Sequence, residues 1–170
     1  PEKAAIQAGR IMLARVQELM NEGQDFAIET TLATRSYVNL IRKAQEKGYI
    51  VTLLYFWLNM PSLAVERVRL RVQSGGHNVS EESIRRRYDM GIRNLFHLYI
   101  PVCEYWMIID NSNSPVIICE GGKNITTKRK RPILNWLSSR TESWSRLKRP
   151  ISNHPTLCYT HDLKGACVIH

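Results

Sequence analysis

The sequence predicts an α/β domain, a parallel sheet with flanking helices, followed by an irregular basic tail. Three observations carry that expectation. Segments with a helical period alternate with short β-branched and aromatic runs, the order of a doubly wound sheet. The run Tyr49-Ile-Val-Thr-Leu-Leu-Tyr-Phe-Trp57 is apolar almost throughout, as a strand is when helices cover both sheet faces. Hydrophobic residues make up 44% of the 170, enough for a sizeable core.

The elements follow in order. Residues 3–22 carry Ile6, Leu13, Val16, Leu19 and Met20 at helical spacing and stop at Asn21-Glu-Gly23, so a helix opens the chain. Asp25-Phe-Ala-Ile-Glu29, followed by Thr30-Thr31, reads as a buried strand, and Tyr37, Val38, Ile41 and Ala44 mark a helix ending at Lys47-Gly48. The strand ending at Trp57 comes next. Pro61 suits the first turn of a helix whose Val65, Val68 and Val72 share a face. Ser80 before Glu81 and Glu82 is an N-cap with acids in the first turn, opening a second helix through Ile84, Tyr88, Ile92 and Leu95. Trp106–Asp110 and Val116–Cys119 read as strands joined by the turn Asn111-Ser-Asn-Ser-Pro115. Beyond Lys123 periodicity fades, apart from a short helix expected at Ile133–Leu137. The chain thus divides into a domain over 1–122 and a basic tail over 123–170.

Charge narrows the function classes. The chain carries 24 Lys+Arg against 15 Asp+Glu, net +9, the balance of a nucleic-acid binder. Residues 1–122 hold 14 basic and 13 acidic side chains, whereas 123–170 hold 10 and 2. The near-neutral body argues against a nucleic-acid partner, and Lys128-Arg-Lys-Arg131 reads as a solvated basic run. A nucleic-acid module acting through the tail is the alternative function. No apolar run reaches the ~18 residues of a membrane span, no secretory leader is evident, and the four cysteines read as reduced thiols. A cytoplasmic protein with no membrane partner is the expectation. Cys158-x2-His161-x5-Cys167-x2-His170 has zinc-like pair spacing, but its central loop is too short for a finger, so no metal site is expected.

Six arginines, Arg67, Arg69, Arg71, Arg85, Arg86 and Arg87, flank Gly75-Gly-His77. Arg67 and Arg71 are spaced i, i+4 and share a helix face, while Arg87 lies beside the Ile84/Tyr88 core face. Residues from the two helices can therefore converge, and guanidinium forks suit phosphoryl oxygens. Arg69 and Arg85 read as surface arginines pairing with Glu66, Glu81 and Glu82. Glu29 and Asp110 sit at carboxyl ends of strands, where α/β sheets bind ligands; a turn or capping role explains Glu29 equally well, and Asp110 is the weaker candidate because Asp110-Asn-Ser112 is common turn chemistry.

Ala8-Gly-Arg-Ile-Met-Leu13, Phe26-Ala-Ile-Glu-Thr-Thr-Leu32, Glu66-Arg-Val-x-x-Arg-Val72, Gly75-Gly-His77, Ile84-Arg-Arg-Arg-Tyr88 and Tyr105-Trp-x-x-x-Asp-Asn-Ser112 together resemble the zeta-toxin-like P-loop kinases, over residues 1–122. The resemblance implies a partial adenylate-kinase-like P-loop fold with a helical lid, acting as an ATP-dependent small-molecule kinase with Mg²⁺. It implies Glu29 and Thr30 as substrate contacts, Arg67, Arg71, Arg87 and Arg86 on the transferring phosphate, and Asp110 and Asn111 at the nucleotide edge. Its partners would be a small phosphoryl acceptor, a UDP-activated amino sugar in the toxins proper, and an antitoxin.

The chain departs from that family in one respect. A Walker A loop, Gly-x4-Gly-Lys-[Ser/Thr], occurs nowhere in it, and its one Gly-Lys pair, Gly122-Lys123, has Ile117 at the first glycine position and Asn124 at the hydroxyl position. The family's general-base Asp is absent too. The expectation is a fragment without its nucleotide half, inactive by itself, with a vacant central strand position and self-association through the exposed sheet edge.

Overall fold

The computed structural model describes residues 2–123 and 165–169. In chain order these form α1 (Glu2–Asn21), β1 (Phe26–Thr30), α2 (Ser36–Glu46), β2 (Val51–Trp57), α3 (Pro61–Gln73), α4 (Glu81–Asn94), a π-helical turn (Leu95–Tyr99), β3 (Tyr105–Asp110), β4 (Val116–Gly122) and β5 (Gly165–Ile169). The helices and first four strands fall close to where the residue pattern puts them. The expected helix at 133–137 and most of the tail lie outside the described residues.

The strands form one five-stranded sheet in the order β1-β5-β2-β3-β4. Only β2 and β3 pair in parallel, while β3–β4, β1–β5 and β5–β2 are antiparallel. The sheet is therefore mixed, which corrects the expectation of a parallel one. The reason is physical: apolar residues along both faces of β2 report cover on both faces and do not specify the direction of the neighbouring strands.

A second correction concerns the gap. β1 and β2 each run antiparallel to β5, hence parallel to one another, and β5 fills the slot between them, with Ala166 opposite both Glu29 and Leu54. The central position expected to be vacant is occupied, and residues 165–169 of the tail are a strand rather than irregular chain. A sheet gap would leave a row of unpaired N–H and C=O groups on each side, and β5 satisfies both rows.

One side of the sheet packs on the helix pair. Leu53, Tyr55 and Trp57 share a face of β2 and are all buried, and with Ile84, Tyr88, Ile92, Leu95 and Ile108 they belong to one core cluster. Burying each large side chain contributes about 1.5–3 kcal/mol. Tyr88 of α4 donates its hydroxyl to Leu58 O at 2.6 Å, anchoring that helix to the end of β2.

α3 ends in a Schellman motif. Gly76 N–H bonds to Arg71 O at 2.9 Å, Gly75 N–H to Val72 O at 3.0 Å, and Gly75 has φ +86°. A Cβ on Gly76 would lie 2.6 Å from Arg71 Cγ, so the double glycine lets the chain turn directly against the Arg71 side chain. Ser80 caps α4, its Oγ accepting from Ser83 N–H at 3.4 Å.

At the opposite end of β2 and β3, Glu104 is a structural hub. Its carboxylate accepts from Gln45 Nε2 at 2.8 Å, Val51 N–H at 2.9 Å and Lys123 Nζ at 2.5 Å. Lys123, the lysine of the lone Gly-Lys pair, is thus engaged in a strand-end ion pair.

Candidate functional site

The carboxyl ends of β1, β2 and β3 lie along one edge of the sheet, since Thr30 and Tyr55 both pair with Gly165 and Trp57 pairs with Asp110. Above that edge, α3 and α4 enclose a cavity of about 110 Å³. Thr31, Tyr55, Ala64, Arg67, Val68, Arg71, Val79, Ile84, Arg87 and Tyr88 line it. Three of the six arginines therefore meet here, and none of the ten lining residues is acidic.

Each arginine is held differently. Arg67 is half-buried: its Nη2 donates to Asn111 O, whereas Nη1 is buried with no hydrogen-bond partner among the described residues. Arg71 donates Nη2 to His77 O at 3.2 Å, which ties it to the turn between the helices. Arg87 reaches the cavity from an exposed position on α4. Arg86 is exposed and does not line the cavity, because one residue along a helix is a rotation of ~100° away from Arg87. Arg69 and Arg85 pair with Glu66 and Glu81, each at 2.7 Å, on the outer surface.

The other candidates separate in the same way. Glu29 is exposed on β1 and does not line the cavity. Thr30 accepts Leu32 N–H at 3.2 Å, a local turn bond, and it is Thr31 that lines the cavity. Asp110 Oδ1 accepts Ser112 N–H at 2.9 Å, the expected turn chemistry. Asn111 is buried, its N–H bonded to Trp57 O at 2.8 Å and its O to Arg67.

Two buried groups escaped the sequence reading. Tyr55 presents a phenol whose pKa burial, reinforced by Tyr88, raises well above the ordinary value, so it is a neutral hydroxyl at any physiological pH. Asn94 is 5% exposed in the core and donates Nδ2 to Leu32 O at 2.8 Å. Its signal was the helical phase, since a polar residue three positions after Gly91 falls on the apolar stripe of α4.

The cavity can hold an anion the size of a phosphoryl group, being far larger than the ~10–15 Å³ a single water needs. A site for ATP and Mg²⁺ is a different matter. The glycine-rich loop, its lysine and its hydroxyl residue do not occur in the 170 residues, and no group of three or more His, Cys, Asp or Glu comes together among the described ones. The sequence that forms the cradle for the β- and γ-phosphates in P-loop kinases is therefore not among these residues. No described helix is long and apolar enough to cross a membrane.

An uncharacterized protein of Haemophilus influenzae is 32% identical over 88 residues, covering 52% of this chain and 63% of that protein. The chain thus spans less than two thirds of that relative's length. No solved structure matches. The Zeta toxin family model matches residues 2–100, which include both helices of the arginine pair and the cavity they enclose. The chain, a mixed α/β fold, belongs to the zeta toxin family.

Proposed function

We propose that this chain is the phosphate-recognising part of an ATP-dependent small-molecule kinase, with Arg67, Arg71 and Arg87 stabilising the transferring phosphoryl group. The observation that carries the reading is the cavity itself. Three guanidiniums line it without a carboxylate, and the buried Arg67 Nη1 has no partner among the described residues. A buried donor of that kind costs about 1–3 kcal/mol when unsatisfied, and a bound oxyanion removes the cost. In phosphoryl transfer, charge spreads over three equatorial oxygens, and fixed cations placed around them lower the barrier.

The remaining roles follow the strand ends. Thr30-Thr31 and Glu29, at the carboxyl end of β1, form the acceptor side, and Asp110 and Asn111, at the end of β3, form the nucleotide edge, which Arg67 links to the cavity. ATP and Mg²⁺ are the cofactors of intact family members, and a small phosphoryl acceptor is the substrate. The toxin context adds an antitoxin as partner. Turnover would need a Walker A loop supplied from outside these 170 residues, whose sequence contains no Gly-x4-Gly-Lys-[Ser/Thr].

The experiment joins these residues to an upstream segment supplying Gly-x4-Gly-Lys-[Ser/Thr] and measures ATP-dependent phosphorylation of a UDP-activated amino sugar. Arg87→Ala should lower kcat about 100-fold or more with little change in KM. An unchanged kcat would remove Arg87 from the mechanism.

A further inference from the structure

We propose that Asn94 and Gly91 are positioning residues that fix Thr31 beside Arg87, so that α4 and the β1–α2 loop act as one rigid wall of the cavity. The inference rests on the phosphate-binding reading of that cavity. Its basis is a set of contacts that secondary structure alone does not require. Leu32 is 1% exposed and sits at φ +56°, a left-handed conformation uncommon for a non-glycine residue. Such a backbone persists only where its surroundings hold it.

The surroundings come from α4 and the π-helical turn that extends it. Asn94 Nδ2 donates to Leu32 O at 2.8 Å, and Tyr99 donates its hydroxyl to Thr34 O at 2.6 Å. Gly91 is the contact point with Thr31 itself. A Cβ there would lie 2.4 Å from Thr31 O, a distance no side chain tolerates. The carbonyls of residues 31, 32 and 34 are therefore all set against one helical segment.

Arg87, Gly91 and Asn94 are spaced four and three residues apart, so they lie along one side of α4. Arg87 supplies charge to the cavity, and one turn further along the same helix fixes the loop that brings Thr31 to it. α3 is fastened independently, through Arg67 to Asn111 O. The helix pair is thereby a preorganised wall rather than a flap that carries its arginines in from solvent, and the distance between Arg87 and Thr31 is set before any ligand arrives.

The test titrates the full chain with inorganic phosphate while backbone amides and arginine Nε–H groups are followed by NMR. In the unaltered chain, Thr31 N–H and Arg87 Nε–H should move together with one Kd. Asn94→Asp, which removes the donor, and Gly91→Ala, which pushes the helix off Thr31 O, should each weaken phosphate about tenfold and abolish the Thr31 response. In both variants Arg67 should still respond at saturation. A destabilised fold alone would not separate those two signals, and Gly91→Ala decides if Asn94→Asp does not fold. Unchanged affinity with an intact Thr31 response in the variants would overturn the positioning role and leave the phosphate site standing. No arginine response in the unaltered chain would overturn both.

Discussion

Arg67→Met separates a binding role from a structural one. The guanidinium makes one charge-assisted bond, Nη2 to Asn111 O, and leaves Nη1 buried without a partner among the described residues. The bond contributes about 1.5–3 kcal/mol, and the unmet donor costs about 1–3 kcal/mol. Methionine keeps most of the aliphatic stem while removing both polar terms. The two nearly cancel, so unfolding free energy should change by no more than about 1.5 kcal/mol, a few degrees in Tm for a chain of this size. Phosphate binding should respond differently, because losing a charge-assisted contact of about 1.5–3 kcal/mol weakens it by roughly 10- to 150-fold. Thermal unfolding with and without inorganic phosphate reads both quantities. At ten times its Kd the ligand stabilises the unaltered chain by about 1.4 kcal/mol, and in Arg67→Met that increment should fall to about 0.4 kcal/mol or less at the same concentration. Arg69→Met is the control: its pair with Glu66 is on the surface, its side chain 65% exposed, and both readings should stay put. A loss above about 3 kcal/mol with the phosphate increment intact would refute the reasoning and make Arg67 a structural tie between α3 and β3.

Other consequences are open to direct measurement. Burial pushes the Glu104 carboxyl up, but hydrogen bonds from Lys123, Gln45 and Val51 N–H outweigh it and hold it below its ordinary value. Its folded pKa is depressed, so its contribution is complete above the unfolded value and is lost as pH falls through the folded one. Glu104→Gln should therefore flatten the stability–pH curve below about pH 4.5, and a curve unchanged in steepness there would contradict that role. Ala166→Pro removes a donor from a strand paired on both sides and should cost about 2–3 kcal/mol or more, with faster amide exchange in β1. Unaltered β1 protection would show that β5 does not hold the sheet together. Burial, with Glu120 nearby, pushes the Cys119 thiol up to about 12, so at pH 8 peptide-resolved labelling should find Cys119 unreactive until the chain unfolds. Rapid labelling of the folded chain would contradict its burial.

Much of this site was legible because it depends on local periodicity. Arg67, Arg71 and Arg87 could be picked out of six arginines since helix spacing fixes which share the core-facing side, and the same spacing put Arg69 and Arg85 beside their acidic partners. Gly75-Gly76 marked the turn because a left-handed C′ position favours glycine. Arg86 illustrates the limit of the motif, because adjacency in sequence to Arg87 is not adjacency on a helix. What stayed hidden is non-local. Five residues of a basic tail pair with β1 and β2 more than a hundred residues away, and nothing in Gly165-Ala-Cys-Val-Ile169 names those partners. The left-handed Leu32 and its role as the acceptor for Asn94 are equally invisible, since each exists only once α4 is docked against the β1–α2 loop.

The central claim is that a defined subset of the arginines forms a phosphate site. Arginine Nε–H resonances, assigned residue by residue and followed through a titration with inorganic phosphate, test it most directly. Arg67, Arg71 and Arg87 should shift with a common Kd while Arg69, Arg85 and Arg86 stay still. Uniform small shifts across all six, fading together as salt is raised, would mean that the anion sees only surface charge and that the cavity is not a site.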